Sequence, residues 1–323
     1  MSIQLITRST LASRRSVLAA SGAVLAGLTL AACNRGGGDG GEGGAGGRVT
    51  LAVSTQTNPF FVQLVEGAKA EAEAQGVSLD VQDASDDSAR QADQLANAIT
   101  QGSAVVIVNP TDSDAVSTSV EALNNADIPV IAVDRSASSG EVASFIASDN
   151  VAGGAQAAEA LAAAIGESGK VLHLQGTPGA SASRDRGQGF TEKIAEYGDI
   201  EVVATQTANF DRAEGLDVAT NLLQANADVV GIFAENDEMA LGAIEALGNK
   251  AGSEVFVVGF DGTADGIAAI ESGTLEATIA QQPEELGKQA VQQAKAILDG
   301  SEAEAEIQVE VVTVSEENAG DFQ

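Results

Sequence analysis

The stretch VTLAVSTQTNPFFVQLVEGAKAEAEAQGVSLDVQ, residues 49–82, contains a complete strand–helix–strand pattern. Its two ends, 49–54 and 77–82, are short β-branched runs typical of buried strands in a parallel sheet. The middle carries apolar residues at helical spacing, namely Phe61, Leu64, Val65 and Ala68. Gly76 follows as a helix stop signal. The stretch therefore predicts a strand, a helix and a second strand packed beside the first.

The same alternation continues to the end of the chain. Runs at 104–109 and 128–134 predict two more buried strands, and Asp86 or Asp87 can cap a helix that carries Leu95 and Ile99. After residue 150 a second series begins, with strands at 171–175, 200–205, 228–234 and 255–260 and helices near 182–197, 211–225 and 237–247. Two such series predict an α/β fold with two doubly wound, parallel-sheet lobes.

Composition excludes several classes of function. The chain has 323 residues, enough for two domains, and a net charge of −31 from 47 acidic and 16 basic residues. Such a surface repels nucleic acid, and the acidity reflects either solubility or adaptation to high salt. With one cysteine and one histidine, neither a disulfide framework nor a Cys/His zinc site can form, and we expect no metal and no cofactor. His173 lies in the apolar run VLHLQ and is expected to be a hydrogen-bonded strand residue, not a catalytic base.

The N-terminus has the pattern of an export signal. Arg14 and Arg15 form a twin-arginine pair before a short apolar stretch that ends in Leu-Ala-Ala-Cys33. This ending resembles a lipobox, in which the cysteine sulfur is lipidated and becomes the new N-terminus. A glycine-rich segment at 34–48 predicts a flexible tether. We therefore expect an exported protein, anchored through Cys33 to the outer face of the cytoplasmic membrane or in the periplasm, with either the twin-arginine or the Sec route open.

Polar side chains follow most of the predicted strands. Ligands of open α/β sheets bind beyond the carboxyl ends of the strands, so these residues should line one cleft. The polar set comprises Ser54, Asn58, Asn109, Asp134, Arg135, Asn236, Asp261 and Gln281, with Arg186 and Phe210 in loops or helix starts after two other strands. Carboxylates, amides and guanidinium groups suit the hydroxyls of a neutral polyol. Phe60 and Phe61 add apolar faces against which a sugar ring can pack, although Phe61 also fits the core stripe of its helix.

Nine ordered motifs resemble those of the ribose-binding proteins of bacterial ABC transporters, in the type I periplasmic binding protein superfamily. They are STQTNPFF, VIVNPTDSDAV, IPVIAVDR, FIASDNVAGG, LQGTPGASASRDRGQGF, ANFDRAEGL, FAENDEMALGA, VVGFDG and TIAQQP, spread over about 49–314. The chain has RDR where relatives often have RER, a position outside the inferred contacts.

The resemblance implies a binding protein that captures a monosaccharide, with D-ribose the first candidate, and delivers it to an ABC permease as a monomer. It carries over twelve ligand contacts: Ser54, Asn58, Phe60, Phe61, Asn109, Asp134, Arg135, Arg186, Phe210, Asn236, Asp261 and Gln281. It also implies a hinge of three chain crossings, with one lobe formed by 49–148 and 282–308 and the other by 149–281 and 309–323.

Other functions compete with this interpretation. The ligand can be allose, xylose or a furanose signalling molecule, and the role can be chemotaxis instead of transport. A glycosidase is disfavoured because Arg135 and Arg186 should keep Asp134 and Asp261 ionised, which would leave no proton donor. A kinase would need a phosphate-binding GxxxxGK[ST] loop, which the sequence lacks. A sugar-responsive repressor would need a basic DNA-binding segment where this chain has an export signal, so we expect a binding protein and not an enzyme.

Overall fold

The computed structural model describes residues 47–322, so the predicted signal with its lipobox Cys33 and nearly all of the predicted tether lie outside the described residues. Within 47–322, no helix combines the length and the apolar character needed to cross a membrane.

Strands and helices alternate along almost the whole described chain. The strands are β1 Arg48–Val53, β2 Ser78–Asp83, β3 Val105–Val108, β4 Val130–Val133, β5 Ser144–Ser148, β6 Ser168–Gln175, β7 Asp199–Thr207, β8 Val229–Ala234, β9 Phe256–Asp261, β10 Ala277–Ala280, β11 Glu306–Val309 and β12 Val312–Ser315. The α-helices are α1 Pro59–Gln75, α2 Ser88–Thr100, α3 Ser117–Asn125, α4 Asn150–Ala164, α5 Ser181–Ile194, α6 Arg212–Ala225, α7 Asp237–Leu247, α8 Ala264–Glu271 and α9 Pro283–Leu298.

The strands form two six-stranded sheets, one in each lobe. The first sheet has the order β11-β5-β4-β3-β1-β2 and is parallel throughout. The second has the order β12-β10-β9-β8-β6-β7, and only β12 runs antiparallel to its neighbour. Each sheet is covered by helices, so the predicted fold class of two doubly wound lobes is confirmed.

The chain passes between the lobes three times. It leaves the first sheet after β5, returns after β10 through α9, which packs against α1, and crosses again between β11 and β12. Val309 pairs with Ser148 in the first sheet, although the sequence analysis placed it in the second lobe. The last crossing therefore lies after Val309, because β11 extends one residue further than expected.

Helix-end residues set where α1 and α2 begin and end, and the predicted stop at Gly76 is confirmed. Asn58 caps α1 by accepting a hydrogen bond from the Phe60 N–H, and Gly76 ends the helix with φ 67°, a left-handed conformation that glycine adopts without strain. Asp87, one of the two candidates, caps α2. Two details differ from expectation. β1 begins at Arg48, within the predicted tether, and β2 is half-exposed because it is an edge strand with a single neighbour.

Two glycines allow α4 and α5 of the second lobe to touch backbone to backbone. A Cβ atom on Gly154 would lie 2.1 Å from the carbonyl oxygen of Arg186, and one on Gly189 would lie 2.0 Å from that of Val151. Real Cβ atoms do not approach so closely, so larger residues would force the helices apart. This contact fixes the position of α5, the helix that carries Arg186.

We predict that Gly189→Ala destabilises the protein by roughly 1–3 kcal/mol, because the added methyl group meets backbone that cannot move aside. Urea unfolding measures the change. Gly198→Ala is the matched control, since its Cβ would meet nothing within 4 Å. Equal stabilities for the two variants would show that the helix contact is loose.

Candidate ligand-binding site

A small chamber lies between the lobes, at the carboxyl ends of the strands. It is lined by Asn58, Phe60, Phe61, Asp134, Arg135, Ala182, Arg186, Phe210, Asn236 and Asp261. Charged, amide and aromatic side chains therefore surround one small space, a combination that suits a small polar ligand with apolar faces.

Nine of the twelve predicted contact residues line this chamber, and the other three lie behind it. The Asn109 side-chain amide donates to Asp134 Oδ2 at 3.1 Å and, through its oxygen, accepts from the Ser54 N–H at 3.0 Å. The Gln281 side chain donates to Asp261 Oδ1 at 2.7 Å. In this structure Ser54, Asn109 and Gln281 thus hold the backbone and carboxylates of the wall.

The first lobe contributes a buried charge pair from the end of β4. Asp134 and Arg135 are 2% and 4% exposed, and Arg135 Nε lies 3.6 Å from Asp134 Oδ2. Arg135 also donates to the Pro110 carbonyl at 3.2 Å. Burial raises the pKa of Asp134, and the positive charges of Arg135 and Arg186 oppose that rise.

The second lobe contributes Arg186, whose guanidinium is held on several sides. Nε donates to Asn150 Oδ1 at 2.8 Å, and Nη1 donates to the Glu235 carbonyl at 2.7 Å and lies 3.4 Å from Asp261 Oδ1. The guanidinium carbon Cζ of Arg186 lies 3.9 Å from the centroid of the Phe260 ring, a cation–π contact. Asn150, Glu235 and Phe260 were not among the predicted site residues, although Asn150 begins the helix after β5 and Glu235 precedes Asn236.

The protonation of Asp261 differs from expectation. Burial raises its pKa to about 8; Arg186 opposes this rise, and the nearby buried carboxyl of Asp237 adds to it. The expectation that the arginines keep this carboxyl ionised is therefore wrong, because the loss of hydration outweighs their attraction. At neutral pH Asp261 can donate a proton in a hydrogen bond as well as accept one.

Three phenylalanine rings form the apolar part of the wall. Phe60 and Phe61 meet edge to face with centroids 5.1 Å apart, and Phe61 belongs both to the chamber wall and to the first-lobe core. Phe210 belongs to the second lobe and packs against Gly176, where a Cβ would overlap the ring. The Arg135 guanidinium lies 5.2 Å from the Phe61 centroid and 5.5 Å from the Phe210 centroid. It therefore links the aromatic walls of the two lobes.

Three residues of the chamber wall have a strained backbone conformation. Asp134, Phe210 and Asp261 have φ values of 65°, 60° and 121°, a region that residues with a Cβ rarely occupy. Each such conformation costs on the order of 1–3 kcal/mol and persists only where the surroundings enforce it. The surrounding structure therefore holds these three residues in unfavourable backbone conformations that place their side chains in the chamber wall.

Several buried polar atoms at this site lack a hydrogen-bond partner within the described protein. Asp134 Oδ1 and Arg135 Nε belong to the wall, and Ser54 Oγ and Gln281 Oε1 belong to residues that hold it. Buried polar groups without partners are costly, and here both acceptors and donors occur. A ligand that carries hydroxyl groups can serve both, since a hydroxyl donates and accepts.

Direct hydrogen bonds join the lobes beside the chamber. The Ser113 N–H donates to the Gly179 carbonyl at 3.0 Å, and the Ser136 N–H donates to the Ser181 hydroxyl at 2.9 Å. The first partner in each bond follows a first-lobe strand, and the second lies at or near the start of α5. The structure is therefore closed over the chamber.

Two α/β lobes that meet over a small polar chamber, joined by three crossings, define a two-lobed binding protein for a small ligand. Residues 49–302 match the family model described as the periplasmic binding protein domain. The chain belongs to this family, in the type I group that the sequence motifs indicated.

Known relatives agree with this assignment. The chain is 47% identical to the ribose import binding protein RbsB of Escherichia coli K12, over 82% of this chain and 90% of that protein. It is also 47% identical to RbsB of Bacillus subtilis 168, over 80% of this chain and 84% of the relative. Among solved structures, an ABC transporter solute-binding protein of Actinobacillus succinogenes with bound D-allose aligns with a TM-score of 0.80 and 32% identity, over 85% of this chain and 99% of that one.

The raised pKa of Asp261 predicts a pH-dependent stability. A carboxyl whose pKa is near 8 when folded, against 3.8 as its ordinary value, stabilises the fold at low pH, and this stabilisation is lost as the pH rises towards and through 8. Without sugar, Asp261→Asn should therefore lose less stability than wild type between pH 5 and pH 8 in urea unfolding. The other acidic groups are common to both proteins, so parallel curves would contradict the assigned pKa.

Proposed function

We propose that the protein captures a free monosaccharide, D-ribose in the first place, between its lobes and delivers it to an ABC permease as a monomer. The observation that carries the proposal is that two buried atoms, Asp134 Oδ1 and Arg135 Nε, have no hydrogen-bond partner among the described residues, in a wall that also contains phenylalanine rings. The identity of 47% to two ribose import binding proteins supports ribose as the ligand.

The proposed ligand contacts are the twelve residues identified in the sequence. Asp134, Arg135, Arg186 and Asp261 would pair with hydroxyls, while Asn58 and Asn236 would add amide groups. Phe60, Phe61 and Phe210 would pack on the C–H faces of the ring. Ser54, Asn109 and Gln281 would act chiefly by holding the others, since they lie behind the wall.

Binding would be coupled to closure. The three crossings would act as a hinge between the lobes formed by 49–148 with 282–309 and by 149–281 with 310–323, and ligand bound to both lobes would favour the closed state. Arg135 contacts one aromatic ring of each lobe, so its contact with Phe210 forms only when the lobes are closed.

We also propose that the protein is a binding protein without catalytic activity. Glycoside hydrolysis needs room for the sugars on both sides of the scissile bond, whereas the chamber is small and the lobes are hydrogen-bonded to each other beside it. The matched relatives are import binding proteins. The raised pKa of Asp261 removes the other reason against a glycosidase, the lack of a proton donor.

A second candidate is a related sugar. The Actinobacillus structure holds D-allose, and the same polar groups can pair with allose, xylose or a furanose signalling molecule. A receptor role in chemotaxis would use the same site.

The family is one of exported proteins, and we propose lipidation of Cys33 as the anchor. The motif Leu-Ala-Ala-Cys33 after the twin-arginine pair supports this. Cys33→Ser should abolish incorporation of a labelled fatty acid in the expressing cell. Unchanged labelling would contradict the lipobox interpretation.

Ribose should stabilise the protein in a thermal-shift panel of monosaccharides, and Asp134→Ala should lose that shift. Removal of this carboxylate leaves the Arg135 charge without its ion-pair partner and the ligand hydroxyl without its acceptor. This loss costs about 2–5 kcal/mol, or roughly 30-fold to several thousand-fold in affinity. Calorimetry measures the affinity, since the chain has no tryptophan to report it.

Asp265→Ala is the matched control for that variant. Its carboxylate is exposed and pairs with Arg212 on the surface, so affinity should not change. If the melting temperature rises with another sugar but not with ribose, the assignment of ribose as the ligand is wrong and the proposed sugar-binding function stands. If no monosaccharide binds at millimolar concentration, the proposed function is wrong.

A further inference from the structure

A fully buried carboxylate, Glu235, lies behind the second-lobe wall. It follows β8 directly and is 0% exposed. Oε1 lies 2.8 Å from His173 Nε2, while Oε2 accepts hydrogen bonds from the Gly176 N–H at 2.7 Å and from the Ser183 hydroxyl. Three groups, one on β6, one directly after β6 and one on α5, thus converge on one side chain that does not line the chamber.

The parts that Glu235 joins are those that carry the ligand-facing groups. Ser183 is one helical turn before Arg186 on α5, and the Glu235 carbonyl itself accepts from Arg186 Nη1. Gly176 supports the Phe210 ring, which would overlap any Cβ at that position. One residue therefore fixes both the guanidinium and the aromatic ring of the second-lobe wall.

The imidazole of His173 is itself held in place. It is 2% exposed and lies against the stacked rings of Phe190 and Phe233, whose centroids are 5.0 Å and 5.2 Å away. A Cβ on Gly187 would come within 2.9 Å of Glu235 Oε1, so α5 lies directly against the carboxylate. The aromatic rings and the helix leave the imidazole and the carboxylate little freedom to move.

We propose that Glu235, oriented by His173, is a positioning residue of the ligand site, a role that rests on the proposed sugar-binding function. A carboxylate can accept from all three donors at once. A glutamine offers a single acceptor oxygen and two N–H groups that need acceptors of their own. With glutamine in this place, His173 Nε2 would have to accept a hydrogen bond in the other imidazole tautomer, and the second N–H of the amide would need an acceptor of its own. The cluster would rearrange, and Arg186 or Phe210 would lose its fixed position.

The experiment compares Glu235→Gln with Asp228→Asn by calorimetric titration with D-ribose, well below the melting temperature of each protein. Asp228 directly precedes β8 and pairs with Lys170 of β6 at 2.7 Å, so it joins the same two strands at their far, exposed ends. Glu235→Gln should weaken binding about tenfold or more. Asp228→Asn should bind as wild type does.

A second readout uses His173 as the only histidine of the chain. Its imidazole gives a single set of NMR signals, although the ring does not line the chamber. These signals should shift on addition of ribose, and the shift should be half complete at a free ribose concentration equal to the calorimetric Kd. If Glu235→Gln does not fold, Ser183→Ala removes only the hydroxyl donated from α5 and should weaken binding several-fold, by the loss of one hydrogen bond.

The outcomes separate this role from the proposed function. If wild type binds ribose but Glu235→Gln binds equally well, or the imidazole signals do not respond, Glu235 only stabilises the core and the positioning role is wrong. If wild type binds no monosaccharide, the proposed function fails and the positioning role fails with it.

Discussion

Water is excluded from the carboxyl and guanidinium groups that meet between the lobes, so each group must find its partners inside the protein. Asp134, Arg135, Arg186 and Asp261 are all 6% exposed or less. Burial of a charge costs several kcal/mol unless pairing and hydrogen bonds offset it. The described protein offsets this cost only in part, since Asp134 Oδ1 and Arg135 Nε have no hydrogen-bond partner and burial raises the pKa of Asp261 to about 8. A ligand rich in hydroxyl groups completes the pairing, which gives it both affinity and a reason to close the lobes.

The surrounding structure serves to hold these groups still. Parallel strands deliver them to one edge of each sheet, and a shell of amide and carboxylate side chains fixes their direction: Asn109 behind Asp134, Gln281 behind Asp261, and Asn150 with Glu235 behind Arg186. Glycines allow α4 and α5 to approach closely enough to position the arginine. Because the wall is preorganised, less binding free energy is lost in ordering side chains when the ligand arrives.

The fold was predictable from sequence because its signal is repeated. Buried β-branched runs and apolar helical stripes recur in two series along the chain. The residues at the strand ends predicted most of the chamber wall. The shell behind the wall was not predictable in the same way. Glu235 and His173 lie 62 residues apart, and only the pairing of β6 with β8 brings them together. The protonation of Asp261 was missed because charge pairs can be inferred from sequence, whereas the degree of burial that outweighs them cannot.

A crystal structure of the protein grown with D-ribose shows directly whether the sugar supplies the hydrogen bonds that the buried wall lacks. We expect one sugar between the phenylalanine rings of the two lobes, with hydroxyl groups within hydrogen-bond distance of Asp134 Oδ1 and Arg135 Nε. Arg186 should keep its contacts to Asn150 and to the Glu235 carbonyl. A sugar outside the chamber, or one whose hydroxyl groups reach neither Asp134 Oδ1 nor Arg135 Nε, would show that this pairing does not drive binding.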